Sequence, residues 1–366
     1  MRYKVIQWAT GGIGKAAIQG VADHPDLELV GCWVHSEGKV GKDAGEIAGI
    51  GALGVKATGS IDEILATEAD CVVYSPVFPV DDEVEQLLAS GKSVVTPTAW
   101  FYPPRDEGRD RMEAACRQGK SVLHGTGIHP GGFTERFPLQ LASMQRATTY
   151  VRSEEFSDIR TYGAPDVVGE MMRFGKEPED ALNGPMAKFI STGFYQSINM
   201  VADELGIKLD KLNTVHEVAE ATAPIDSPVG TIQPGYVAGQ RFTWQGLVDG
   251  KPVIEAIVNW IMGEENLSQP WKFGAEGPRY ECEVKGDPDL IAVYHGTASV
   301  LHRSRPGTQR RRRGDRHALR QQHPLHLRRR ARRAQLSRSA DDLRSRGAGT
   351  AEKEKIMPRS RYRTRD

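Results

Sequence analysis

The chain has 366 residues, 39% of them hydrophobic and 26% charged, long enough for two domains and a sizeable core. No apolar run approaches the ~18 residues of a membrane helix, which excludes an integral helical membrane protein. A formal net charge of zero conceals two halves: residues 301–366 hold 20 Arg and 2 Lys against 6 acids, and the remaining 26 bases and 42 acids leave residues 1–300 as negative as the tail is positive, so a boundary is expected near residue 300.

The opening Met1-Arg2-Tyr3-Lys4-Val5 runs straight into a strand, without the apolar core and cleavage site of a secretory leader. The expected location is therefore cytoplasmic. Cys32, Cys71, Cys116 and Cys282 are widely spaced and form no CxxC or Cys/His pattern. Buried thiols are expected, with no disulfide and no metal site.

Residues 3–8 form a short apolar run suited to a buried parallel strand. Ala9-Thr10-Gly11-Gly12-Ile13-Gly14 follows, then a helical pattern with Ile13, Ala17 and Val21 on one face, then a second strand over Leu27–Val34. The turn fits a dinucleotide fingerprint with Ala9 in the first glycine slot. Gly11 would let the backbone approach a diphosphate, and Gly14 would let the helix pack closely on the strand. Strands at Cys71–Tyr74, Ser93–Thr96 and Ser121–His124 alternate with helices around Val84–Leu88 and Met112–Cys116. This alternation predicts an α/β fold with a Rossmann parallel sheet covered on both faces. Ligand contacts are expected beyond the carboxyl ends of its strands: Ala9 to Gly14, Ser75 and Pro76, Thr96 and Thr98, and Gly125–Gly132.

Two other readings of the glycine turn fail on their chemistry. A phosphate-binding P-loop needs glycine at position 9 and Ser or Thr at 16, and both are alanine. A short-chain dehydrogenase needs a Tyr-x-x-x-Lys pair, which the chain lacks. At the tip of the second strand stand His35, Ser36 and, just beyond, Lys39, with no carboxylate at the tip itself to hold ribose hydroxyls, although Glu37 is close. A hydroxyl and cations suit a 2′-phosphate, so NADP(H) is the expected cofactor and NAD(H) the alternative.

From about Arg136 the pattern changes to longer alternating runs, such as Phe242-x-Trp244 and Tyr280-x-Cys282-x-Val284, with one helical stretch near Ala187–Leu205. An α+β substrate domain is expected, giving residues 1–135 as the nucleotide domain, 136–300 as the substrate domain and 301–366 as a basic tail.

Four segments together carry a resemblance: Gln7-Trp-Ala-Thr-Gly-Gly-Ile-Gly14, Val72-Val-Tyr-Ser-Pro76, Gly125-Thr-Gly-Ile-His-Pro-Gly131 and Gln240-Arg-Phe-x-Trp244. Over residues 3–300 the chain resembles the 2,4-diaminopentanoate dehydrogenase and native amine dehydrogenase group of dihydrodipicolinate-reductase-like proteins. The resemblance implies a homodimer and NAD(P)H-dependent interconversion of a small-molecule imine and amine. It also implies a glutamate in the segment Thr96–Pro103, where the matching position falls at Thr98 or Ala99 and cannot ionise. The His-His-x-x-Lys motif of true dihydrodipicolinate reductases is absent as well. Carbonyl reduction and catalytically silent nucleotide binding therefore stand as alternatives. His129, in the Gly-Ile-His-Pro-Gly turn, is the first candidate proton donor and Tyr162 the second; each has a packing role as its competing reading. Glu135 and Arg136 could bind a charged substrate group or simply pair with each other.

The tail has Arg310–Arg313, Arg328–Arg330 and Arg332-Arg333, a composition that could suggest nucleic acid. Read one nucleotide later, however, permitted codons for His317–His326 spell Met-His-Cys-Val-Asn-Ser-Ile-Pro-Tyr-Ile, and the segment from Gln335 behaves alike. A frameshifted, disordered tail is the preferred expectation, and a nucleic-acid partner is not expected.

Overall fold

In the computed structural model, residues 2–295 are described apart from Asp106, Ala164 and Pro185; the expected basic tail lies outside the described residues. The first strand, β1 (Tyr3–Trp8), buries Val5, Ile6 and Trp8 completely or nearly so. It leads into α1 (Gly12–Asp23) and β2 (Leu27–Trp33). Next come α2 (Ala44–Ala48), β3 (Ala57–Thr58), α3 (Ile61–Ala66), β4 (Cys71–Tyr74), α4 (Asp81–Ala89), β5 (Ser93–Thr96), α5 (Arg109–Gly119) and β6 (Leu123–Gly125). All neighbouring pairs in this sheet are parallel, in the order β3-β2-β1-β4-β5-β6. That is the doubly wound order, with its reversal between β1 and β4, where dinucleotides bind in such sheets.

The core of this half is built where the strands end. Trp8 stacks on Trp33 with ring centroids 4.4 Å apart, and Tyr74 leans on Trp8 at 5.7 Å. Val84, Leu87 and Leu88 of α4 close the sheet from one side, all fully buried. One expected face is corrected: α1 buries Gly14, Ile18 and Val21, whereas Ile13 is 56% exposed. The helix is rotated by about one residue because Gly14, lacking a Cβ, is the position that presses against the strand.

After α6 (Arg136–Ala142), the chain forms β7 (Ala147–Asp158), α7 (Pro178–Leu182) and the long α8 (Met186–Glu204). It continues through β8 (Lys211–Glu220), the hairpin β9 (Ile225–Ser227) and β10 (Gly230–Ile232), then β11 (Val237–Val248), β12 (Lys251–Ile261), β13 (Arg279–Asp287) and β14 (Leu290–Tyr294). The second sheet runs β14-β13-β7-β12-β11-β8 and is antiparallel except for the β7–β12 pair. Helix α8 lies on it, packing Phe194, Ile198, Val201 and Ala202 against Phe242, Trp244, Ile254, Ala256 and Val258. Phe194 stacks on Trp244 at 3.8 Å, and the indole N–H of Trp244 donates to Ser191 Oγ at 2.7 Å.

The opposite side of α8 is tied to the segment that follows β5. Arg105 pairs with Asp203 and donates to Asn199, Tyr102 O–H donates to Asp203 at 2.9 Å, and Tyr102 N–H donates to Gln196. One helix thus bridges the two sheets. Cys32 and Cys282 are buried and Cys71 and Cys116 partly so, all as free thiols. Burial pushes Cys32 up to about 11 and Cys282 up to about 12, which leaves both unreactive near neutral pH. Among the described residues no helix is long and apolar enough to cross a membrane, and no cluster of metal-binding side chains forms.

Candidate functional site

The turn after β1 has the geometry of an anion cradle. Gly11 is the N-cap of the twelve-residue α1 and no side chain caps the helix, so its first N–H groups face outward with the positive end of the helix dipole. A Cβ added at Gly11 or Gly12 would meet nothing within 4 Å, whereas one at Gly14 would sit 2.2 Å from the Ala9 carbonyl oxygen. Glycine at 14 is thus required by packing, and the open space at 11 and 12 is room for a ligand. Ala9, in the first glycine slot, adopts a left-handed backbone with φ of 69°.

Gln7, buried at mid-sheet, holds this turn. Its amide donates to the Ala9 carbonyl at 2.8 Å, the Trp8 carbonyl at 3.0 Å and Ser75 Oγ at 2.8 Å. Ser75 and the half-buried Pro76 stand at the tip of β4, with Ser75 N–H donating to the Trp8 carbonyl. One side chain thus joins the two strand tips that flank the reversal point. Sequence reading passed over Gln7, although a polar residue inside an apolar strand was the signal available.

Beyond β2, His35 and Ser36 are exposed, and Lys39 folds back so that Nζ donates to Thr10 Oγ1 at 3.1 Å and the Thr10 carbonyl at 3.3 Å. The structure therefore brings Lys39 to the glycine turn. At the tip of β5, Thr96 and Thr98 share a hydroxyl hydrogen bond of 2.8 Å.

A cleft of about 360 Å³ opens next to Thr98 and Ala99, lined also by Pro79, Lys188, Phe189 and Gln196. It lies between the carboxyl edge of the first sheet and α8. Phe78 and Phe189 meet edge-on at 5.0 Å at its rim.

The turn over residues 125–132 closes the other end of the first sheet's carboxyl edge. Gly131, at φ of 105°, brings its Cα so near the Gly127 backbone that a Cβ would lie 2.3 Å from the Gly127 nitrogen. His129 sits inside this turn, its Nδ1 2.9 Å from Thr134 Oγ1 and its Nε2 3.3 Å from the Ile257 carbonyl. Because a carbonyl only accepts, Nε2 carries the proton and Nδ1 accepts from Thr134. Burial pushes the imidazole down to about 4. Glu135 and Arg136 form no ion pair with each other among the described residues, and each braces the turn. Glu135 accepts the Gly131 N–H at 3.3 Å, and Arg136 donates to Thr126 Oγ1 and the Gly127 carbonyl. Burial pushes the Glu135 carboxyl up.

Across from His129 lies the inner face of the second sheet. The His129 ring is 6.0 Å from that of Tyr280, which pairs in register with Glu155 of β7. Glu155 is 8% exposed, and its Oε1 accepts from Ser157 Oγ at 2.6 Å and the Trp260 indole at 3.1 Å. Burial pushes this carboxyl up. Tyr162 is 48% exposed, and burial of its hydroxyl followed by the Glu155 charge raises it. Sequence reading missed Glu155, because nothing local marks which of the adjacent glutamates in Ser153-Glu-Glu-Phe156 turns inward.

Residues 5–126 match the N-terminal domain of dihydrodipicolinate reductase, and residues 137–262 match the C-terminal domain of 2,4-diaminopentanoate dehydrogenase. An amine dehydrogenase of Streptomyces virginiae is 33% identical over 318 residues, which cover 82% of this chain and 87% of that one. A 2,4-diaminopentanoate dehydrogenase of Acetoanaerobium sticklandii is 26% identical over 220 residues, 59% of this chain and 58% of the relative. The structure of an amine dehydrogenase from Mycobacterium smegmatis shares the fold, with a TM-score of 0.68 at 18% identity over 82% of this chain and 88% of that one. With its nucleotide-type sheet, bridging helix and second mixed sheet in the same chain order, the protein belongs to the amine dehydrogenase family.

Proposed function

We propose that the protein is an NADP(H)-dependent dehydrogenase that interconverts a primary amine and water with the matching carbonyl compound and ammonia. Residues 1–135 would serve as the nucleotide domain and 136–300 as the substrate domain, with residues 301–366 the frameshifted tail. The observation that carries this reading is the uncapped α1 N-terminus, with open space at Gly11 and Gly12 at the carboxyl edge of the first sheet; a cleft between the loops after β4 and β5 and α8 lies at the same edge. When bound, the nicotinamide supplies a hydride acceptor or donor. The protein's own groups do the rest.

The N–H groups of Gly12, Ile13 and Gly14 hold the diphosphate, with Ala9, Thr10 and Gly11 shaping the turn. His35, Ser36 and Lys39 take the 2′-phosphate, since the Lys39 ammonium already lies against Thr10 rather than against a carboxylate. Ser75, Pro76, Thr96 and Thr98 border the nicotinamide end. His129, with both nitrogens committed, acts as a positioning residue that fixes the turn against β12. To Tyr162, whose hydroxyl has no hydrogen-bond partner among the described residues, we assign the movement of a proton.

Reduction of a carbonyl to an alcohol is the second reading, favoured by the cleft wall at Thr98 and Ala99, where no side chain ionises. One assay separates them. NADP+ reduction by a panel of primary amines, but not by the matching alcohols, is expected; turnover of alcohols alone would reject the amine reading. Light scattering tests the homodimer.

A further inference from the structure

The cleft beside Thr98 and Ala99 offers an ammonium group no carboxylate, and the charged side chain on its wall is a cation, Lys188. An amine substrate needs an anion elsewhere. On the inner face of the second sheet, one ring away from the His129 turn, Glu155 supplies it. Its Oε1 is fixed by Ser157 and Trp260, while Oε2 is neither held by a protein donor nor sealed away among the buried, partnerless polar atoms. A carboxylate 8% exposed with one oxygen held and the other open is aimed at something. Two aromatic residues flank it: Tyr280 opposite in register and Trp260, which donates to it.

A desolvated carboxylate attracts cations strongly. We propose that Glu155, flanked by Tyr280 and Trp260, binds the ammonium group of the substrate amine. The proposal rests on the amine reading given above, and it assigns the chemical class of the substrate end that enters the second sheet: a primary ammonium. Burial raises the carboxyl in the free protein, and an arriving cation restores its ionised form.

Glu155→Gln is the informative variant. A glutamine carbonyl still accepts from Ser157 and Trp260, so the local architecture persists while the charge goes. The full chain, saturated with NADPH, is titrated calorimetrically with cyclohexylammonium and with cyclohexanol as its neutral counterpart. The wild type is expected to prefer the ammonium by at least about tenfold, and Glu155→Gln to lose that preference with NADPH affinity unchanged. A wild type without the preference, or a variant that keeps it, overturns the proposal. Turnover distinguishes the two levels. Ammonium preference without amine-dependent NADP+ reduction would reject the amine-oxidation reading and leave this site standing. Amine turnover that Glu155→Gln leaves intact would do the reverse.

Discussion

Ala9 is one of five non-glycine residues with positive φ among the described residues, and the one in the glycine turn. An L side chain in the left-handed region costs about 1–2 kcal/mol, and Ala9 is held there at φ of 69° by the bond from Gln7 to its carbonyl. Ala9→Gly is expected to raise stability by about 0.5–1 kcal/mol after glycine's own entropy loss; chemical denaturation would show it as a higher midpoint, and an unchanged or lower midpoint counts against strain. Gln7→Leu removes the amide's bonds to the Ala9 and Trp8 carbonyls and to Ser75 Oγ, so the turn loses the side chain that ties the Ala9 carbonyl to it. It should cost about 1–3 kcal/mol and weaken nucleotide binding, whereas a variant equal to wild type in both would deny Gln7 its role. His129 brings a pH dependence. Its native value of about 4 lies below the ordinary 6.5, so the unfolded chain binds the proton first as pH falls. Its contribution is present in full above pH 6.5 and is lost toward pH 4, amounting to up to about 3 kcal/mol. Glu135 and Glu155, raised by burial, act in the opposite sense, so the comparison is with His129→Asn: the stability difference between the two proteins should grow from pH 4 to 6.5 and then level. A difference that is flat with pH rejects the buried neutral imidazole. Position 129 was legible as a turn histidine, but its partners, Thr134 and Ile257, follow from tertiary packing that no local pattern encodes.

Among the elements, α8 carries the most connections. Its apolar face meets β11 through the Phe194–Trp244 stack, and its polar face holds Tyr102 and Arg105. Trp244→Ala should cost about 3–5 kcal/mol, the range for losing a large buried ring and leaving a cavity. A loss below about 1 kcal/mol would mean that α8 and the sheet can close over the gap. Four strands of the first sheet, β1, β2, β4 and β5, were legible to within a residue as short apolar runs; β6 begins two residues later than expected, and the two-residue β3 was missed because so short a pairing leaves no periodic signal. The facing of α1 was not, since hydrophobicity favoured Ile13 and close packing favoured Gly14. The second sheet was legible as strands but not as an order. Its parallel β7–β12 pair joins residues about a hundred positions apart, and period-two alternation says which face a residue takes, never which strand lies beside it.

For the molecule as a whole, the two sheets meet along the carboxyl edge of the first, and every proposed contact lies on that edge or on the sheet face opposite. In the proposed arrangement the glycine turn, Gln7 and Lys39 form the nucleotide end and Glu155 and Tyr280 the substrate end, with the His129 turn between them. Fluorescence titration of the full chain with NADPH and NADH tests the centre of this arrangement, with Gly12→Asp as the control that sets a negative charge at the helix N-terminus. The expected result is saturable NADPH binding in the range of about 1 μM to 1 mM, weaker NADH binding, and loss of both in Gly12→Asp. Failure of the wild type to bind either nucleotide at millimolar concentration, or binding untouched by Gly12→Asp, would contradict it.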